Sequence, residues 1–327
     1  MATSGSWDYT RTADQVITAA YENLGLLPGG AAVSSADSTT ALARLNMISK
    51  QYQGTSDGAP GVKVHTRQRV TLFLAKGQQT YSIGPASTDA RATTRYGRTT
   101  IDAAEAIGQT VISVTATSDT TTEPGTTITM TASDIIGIEQ DSGVMFWSSI
   151  SSISAGDTVT IASGLDVAAA VGRYVYWFTS RAQRFPVIES AVLRNSSRND
   201  SGIYIYRDAR EYDVGVSDKY ADGEPTSILV EPLRIATRVT LNSQPTDVTD
   251  QIVMVVQYPA EDYDATTDDI AFPQEALRFL SWELAWELHP AFKVTWTPAM
   301  KMLRDEARAM YLNLNPEMSN LYFQPNA

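Results

Sequence analysis

The hydrophobic period changes twice along this chain, from about 3.6 near the N-terminus to 2 through the middle and back to 3.6 before the C-terminus. A stretch with one period cannot bury its apolar side in the geometry of the other, so helices are expected at both ends and strands between them. Val70, Leu72 and Leu74 alternate with Arg69, Thr71 and Phe73, a turn follows at Gly77, and 80–83 continues as a second strand. The period of two begins near Val62. Further strands are expected at 111–116, 126–130, 135–139, 144–148, 158–162 and 173–178, then at 187–193, 202–206, 227–230, 237–241 and 252–257. Asp141-Ser-Gly143 and Gly156-Asp157 have the composition of hairpin turns. Ten threonines between Thr110 and Thr131 set the 91–179 segment apart, and it is expected to form an inserted small β-barrel or sandwich domain.

Thr12-Ala-Asp-Gln15 spells a capping box, Val16, Ile17, Ala20 and Leu24 form an apolar stripe, and Gly25 stands where a helix ends. A second helix starts near Ser34 or Ser35 and places Leu42, Leu45, Ile48 and Tyr52 near one face. Near the other end, Pro273 suits the first turn of a helix that Pro290 stops. Thr297-Pro298 opens a last helix reaching about Leu314. The expected fold class is α+β: a helical bundle from both termini packed with a central β region, in domains 1–90 plus 180–315, with 91–179 inserted and 316–327 as a C-terminal docking arm.

A chain of 327 residues buries roughly three quarters of its unfolded surface, so a large core needs no disulfide. It has no cysteine, which excludes a thiol nucleophile and Cys-ligated metal and fits synthesis in a reducing cytoplasm. Residues 1–11 lack a basic stretch followed by an apolar one, and no run approaches the ~20 apolar residues of a membrane span. The net charge of −12 opposes tight general binding of nucleic acid, although an acidic surface would let DNA pass without sticking.

Only two histidines occur, His65 and His289, with no nucleophile elbow recognised beside them and no phosphate-cradling G-x-x-x-x-G-K-[ST] loop. Neither enzymatic activity nor a cofactor or metal is expected. Glu283 and Glu287 share a helix face without a Glu-x-x-His partner, and the acidic run Glu261, Asp262, Asp264, Asp268 and Asp269 lacks the glycine of a calcium loop. Arg91, Arg95 and Arg98 form one local basic group. The 273–289 helix carries two stripes, Leu277, Leu280, Leu284 and Leu288 on one and Phe279, Trp282 and Trp286 on the other. A helix apolar on two faces is covered on both, either by its own core or by a neighbouring subunit. Phe279, Trp282 and Trp286 are therefore interface candidates. So are Leu321, Tyr322 and Phe323, three consecutive large apolar residues after Asn315-Pro316 ends the last helix.

Several stretches in order resemble the head-to-tail adaptor family of short-tailed double-stranded DNA phages, also called packaged-DNA stabilisation or tail accessory proteins. Tyr21-Glu-Asn-Leu-Gly-Leu26 and Ala41-Leu-Ala-Arg-Leu-Asn-Met47 look like its opening hairpin. Val70-Thr-Leu-Phe-Leu-Ala-Lys-Gly-Gln-Gln-Thr-Tyr-Ser-Ile-Gly-Pro85 is similar to its most characteristic segment. Phe185-Pro-Val-Ile-Glu-Ser-Ala-Val-Leu-Arg194, Gly223-Glu-Pro-Thr-Ser-Ile-Leu-Val230 and Trp282-Glu-Leu-Ala-Trp-Glu-Leu288 follow in the family's order. The likeness covers about 1–85 and 185–315. The 95–178 region departs from the shortest members, but Asp134-Ile-Ile-Gly-Ile138, its Asp-x-Gly hairpin and Trp147 look like the β insertion of others. The resemblance implies a virion protein at the head-tail junction, assembled in the host cytoplasm as a dodecameric ring. Its implied partners are the portal, a downstream tail tube or nozzle protein, tail fibres and the genomic DNA in the lumen, with no membrane. The alternative is a β-rich receptor-binding or glycan-degrading tail protein, which leaves the helical termini unexplained.

Overall fold

This computed structural model describes residues 9–28, 31–53, 67–86, 91–123, 125–206, 208–258 and 260–313. The chain divides into two compact units, one formed by 1–67 with 259–327 and the other by 68–258. Helices α1 (Ala13–Asn23) and α2 (Ser35–Gln53) open the first unit.

The second unit is built from short strands. They are β1 (Arg67–Phe73), β2 (Thr80–Ile83), β3 (Arg91–Thr93), β4 (Gly97–Thr100), β5 (Val111–Ser113), β6 (Ser118–Asp119), β7 (Ile128–Thr129) and β8 (Ile135–Glu139). Then come β9 (Met145–Ser154), β10 (Thr158–Ile161), β11 (Tyr174–Phe178), β12 (Val187–Arg194), β13 (Asp200–Gly202) and β14 (Tyr204–Tyr206). A short helix α3 (Ala209–Gly215) precedes β15 (Ser227–Pro232), β16 (Thr237–Leu241) and β17 (Gln251–Gln257). One sheet runs β13-β12-β17-β1-β3 and a second β14-β15-β16-β2, and Val70, Leu72, Tyr81, Ile83, Val239 and Met254 belong to the core they share. The consecutive strands β1 and β2 lie in different sheets, so the turn at Gly77, with φ of +73°, carries the chain across the sandwich.

Strands β4-β11-β8-β9-β10-β5 form a six-stranded sheet. Its edges meet, because Thr115 N donates to Thr100 O at 2.9 Å and Asp102 N to Ser113 O at 3.0 Å. Closure removes both free edges and encloses a core of Ile112, Ile136, Ile138, Val159, Val175 and Trp177. Gly97 is required there, since a Cβ at that position would stand 2.1 Å from Cζ2 of the fully buried Trp177. Phe73 joins the barrel to the sandwich through ring contacts with Tyr96, Trp147, Tyr176 and Phe178, all with centroids within 5.9 Å.

The first unit closes with α4 (Leu277–Leu288), entered through a single 3-10 turn at Gln274–Ala276, and α5 (Pro298–Asn313). The capping box of α1 forms, Gln15 N donating to Thr12 Oγ1 and Thr12 N to Gln15 Oε1. The acidic run supplies further caps, because Ala13 N donates to Asp268 O and Asp14 N to Thr266 O. Asp268 itself accepts from Asp264 N and Ala265 N, and Asp262 pairs with Lys50 at 2.9 Å.

The expected helical bundle from both termini is not formed, and the fold class is corrected accordingly. Among the described residues the protein is mostly β, with 32% strand, 23% helix and five short helices. The physical reason is that short strands and turns fill the span from β1 to β17, while at the ends the two stripes of α4 are covered by a few helices together with irregular segments. Helices α1, α2 and α5 each pack on α4, and irregular segments supply Ala260, Tyr263, Ile270, Phe292 and Trp296 to the same cluster. Leu280, Leu284 and Leu288 are at most 1% exposed, each stabilising by roughly 1.5–3 kcal/mol relative to exposure.

Candidate functional site

The aromatic stripe of α4 folds into a compact aromatic and ionic cluster. Phe279 is 1% exposed and stacks on Tyr311 of α5 with centroids 4.7 Å apart and planes 13° from parallel. Trp282 is also buried, and Trp286 is half-buried. Both make edge contacts with Trp296, at 6.3 and 5.0 Å. Arg304 of α5 lays its guanidinium over Trp286 at 4.7 Å and donates Nη2 to Glu283 Oε2 at 2.8 Å. The Glu283 carboxylate is nearly enclosed, with 4% of its side chain exposed. His289 sits against the Trp286 and Trp296 rings, and its Nδ1–H donates to the Trp286 carbonyl at the end of the helix. Its role is that of a helix C-cap residue.

The structure thus places Phe279 and Trp282 inside the first unit, covered by residues of the same unit, and leaves Trp286 half-buried. Glu283 and Glu287 do not act together, because Glu283 takes Arg304 and Glu287 takes Arg44 at 3.8 Å. Leu321, Tyr322, Phe323, Val62, His65 and the side chain of Tyr52 lie outside the described residues. A nucleophile-elbow spelling does occur, a correction to the expectation above: Gly54-Thr-Ser-Asp-Gly58 fits G-x-S-x-G, also outside the described residues. A nucleophile elbow follows a strand, whereas helix α2 precedes this one.

The basic group Arg91, Arg95 and Arg98 does not converge. Arg91 approaches Trp147, Arg95 pairs with Glu123 at 3.4 Å, and Arg98 lies over Tyr174 at 4.1 Å. A residue that the sequence does not single out, Arg198, lines the same groove as Arg98. Its only local signal is the turn composition around it, Asn195-Ser-Ser-Arg-Asn199.

Large apolar side chains remain exposed on both units. Met302 and Met310 on α5 are 65% and 56% exposed, and Val214, Tyr220 and Ile235 in the second unit are each at least 79% exposed. Flexible methionines and exposed aromatics suit contact with partners. Among the described residues no group of three His, Asp or Glu could hold a metal, and no helix is long and apolar enough to cross a membrane.

In the loop before β17, the Asp250 carboxyl is pushed up to about 6 by burial and by the neighbouring Asp247 and Glu224 charges. The folded state therefore holds this proton more tightly than the unfolded chain, where Asp ionises near ~3.9. The contribution is fully favourable below about pH 4 and is lost as the pH rises through about 6. Asp250→Asn is expected to raise the unfolding midpoint at pH 7 while leaving it unchanged at pH 4, with a gain under ~1 kcal/mol because the group is half in solvent. Equal shifts at both pH values would rule out this charge repulsion.

No protein-family model matches the chain, and no curated protein matches it.

Proposed function

We propose that this chain is a structural virion protein, a head-to-tail adaptor of a short-tailed double-stranded DNA phage. It assembles as a ring beneath the portal, extends the DNA channel and offers a platform to the next tail component. The observation that carries this proposal is the segment 70–85, where the family-like residues have defined structural work. Gln79 Nε2 donates to the Leu241 carbonyl at 2.9 Å and to the Tyr212 hydroxyl at 3.3 Å. Tyr81 is buried and its hydroxyl accepts from Ala75 N at 3.0 Å. Gly84 lies where a Cβ would come 3.0 Å from the Ile235 carbonyl. A strand, a Gly-Gln-Gln turn and a Tyr-x-Ile-Gly strand are thus bound to one way of crossing a sandwich. The acidic balance of −12 supports a conduit through which DNA slides. The exposed apolar side chains on both units supply surfaces for neighbouring subunits.

Mixing the purified chain with portal particles and imaging them in negative stain tests this. A ring of added density following the portal's symmetry is expected. No ring, with or without portal, would discard the adaptor assignment. Truncation after Asn315, which removes Leu321, Tyr322 and Phe323, is expected to weaken attachment to portals while leaving thermal unfolding nearly unchanged. Unaltered attachment of the truncated chain would end the docking-arm role of 316–327.

A further inference from the structure

Where β4 and β11 of the barrel approach the β12–β13 hairpin, a groove of about 550 Å³ opens to solvent. Its lining holds Arg98, Arg198, Tyr174 and six Ser or Thr residues, and no carboxylate. Two guanidiniums in one carboxylate-free groove run against the net charge of −12. Several other guanidiniums are taken up by carboxylates, as in Arg173 with Glu139 and Asp141 or Arg194 with Asp200. Neither Arg98 nor Arg198 has a carboxylate partner among the described residues.

Both are held in place by other means. Arg98 stacks its guanidinium 4.1 Å from the Tyr174 centroid. Arg198 donates to the Thr121 carbonyl at 2.8 Å and to Thr121 Oγ1 at 2.9 Å, from a backbone with φ of +66° that non-glycine residues seldom adopt. The nearby Asp119 is 5% exposed and turned inward, accepting from Arg98 N, Thr121 N and the Thr121 and Thr122 hydroxyls. Its charge is used by the loop that carries Thr121 and not by either guanidinium.

We propose that this groove binds a phosphate of the nucleic-acid backbone, with Arg98 and Arg198 as the charged contacts and the Ser and Thr hydroxyls as further donors. Guanidinium and hydroxyl groups together suit an oxyanion with several acceptor oxygens, and the volume admits the attached sugar. The charged contacts are guanidiniums and the remaining donors hydroxyls, which match phosphate oxygens, so the contact is to backbone and carries no base preference. The oxyanion site stands on its own geometry, and the choice of DNA as its carrier rests on the adaptor proposal.

Anisotropy of a labelled duplex oligonucleotide with the full-length chain at low salt tests it, with inorganic phosphate as competitor. The expected Kd lies between about 1 and 100 μM, with a log-log salt slope near about −0.9 for one phosphate. Arg98→Ala and Arg198→Ala should each weaken binding about fivefold or more. Ser197→Glu, which places a carboxylate at an exposed position without removing a structural contact, should abolish it, and phosphate should displace the duplex. Duplex binding that is undetectable, or equal in all three variants, overturns the site. Phosphate binding without duplex binding overturns the nucleic-acid assignment. Ring assembly of the same variants on portals, expected unchanged, separates this outcome from failure of the adaptor proposal.

Discussion

Arg304→Ala is expected to lower the stability of the first unit by about 3–5 kcal/mol, the cost of leaving a buried charge without its partner. The Glu283 side chain is 4% exposed and its Oε2 depends on Arg304 Nη2, while Glu283 Oε1 has no protein partner among the described residues. Removing the guanidinium also uncovers the Trp286 ring face that it lies over. A large loss on breaking the pair does not mean that the pair itself is a large net stabiliser, because desolvating both charges offsets much of their attraction. The double variant Glu283→Met with Arg304→Met, which replaces the pair by apolar groups of similar volume, should therefore recover most of the lost stability. Chemical unfolding of Glu283→Met, Arg304→Met and the double variant against the parent forms a cycle that measures this coupling. An Arg304→Ala midpoint within about 1 kcal/mol of the parent would mean that the pair is effectively solvated.

The second large effect is expected at Phe279. This residue is equally consistent with an intersubunit contact and with a core position when only the stripe on the helix is considered. Its 1% exposure and its stacking on Tyr311 make it core. Phe279→Ala should cost about 3–5 kcal/mol through lost burial and the cavity left behind. It also exposes one face of Tyr311, whose phenol burial pushes up to about 12. The measurement that separates the roles is unfolding of the isolated chain under conditions where it does not assemble. An interface residue would leave that midpoint unchanged and reduce only assembly, whereas the packing seen here requires the midpoint to fall. Trp286→Ala provides the contrast, because that ring is half-buried and its truncation should cost less.

Features coded by neighbours in the chain are legible in the sequence alone. The Thr12 and Gln15 capping box forms because both partners lie within one turn, and α4 ends short of Pro290 because proline cannot continue the ladder. Helix α3 leaves no such signal, although Asp208 caps it through Glu211 N at 2.8 Å, since seven residues are too few to display a period. Strand β9 extends to Ser154, well past the expected 148, because its outer half is mostly serine and shows little alternation. The helical share falls below expectation because the strands and turns of the middle outnumber the helices, and the apolar stripes at the ends do not reveal how many helices share a core.

Sequence by itself determined the local periods, the caps, the stops and the glycine positions, because those depend on steric and hydrogen-bonding rules acting within a few residues. Only the tertiary structure decided what meets each apolar or charged face. Periodicity states that the aromatic side of α4 is covered, yet its cover comes from Trp296, Arg304 and Tyr311, placed by the return of α5. In the same way Arg98 and Arg198, a hundred positions apart, become one groove only when the closed barrel and the β12–β13 hairpin fold together. The physical reason is that burial and charge are properties of a position in space. A side chain's own neighbours in the chain fix its direction, while the element packed opposite fixes its environment.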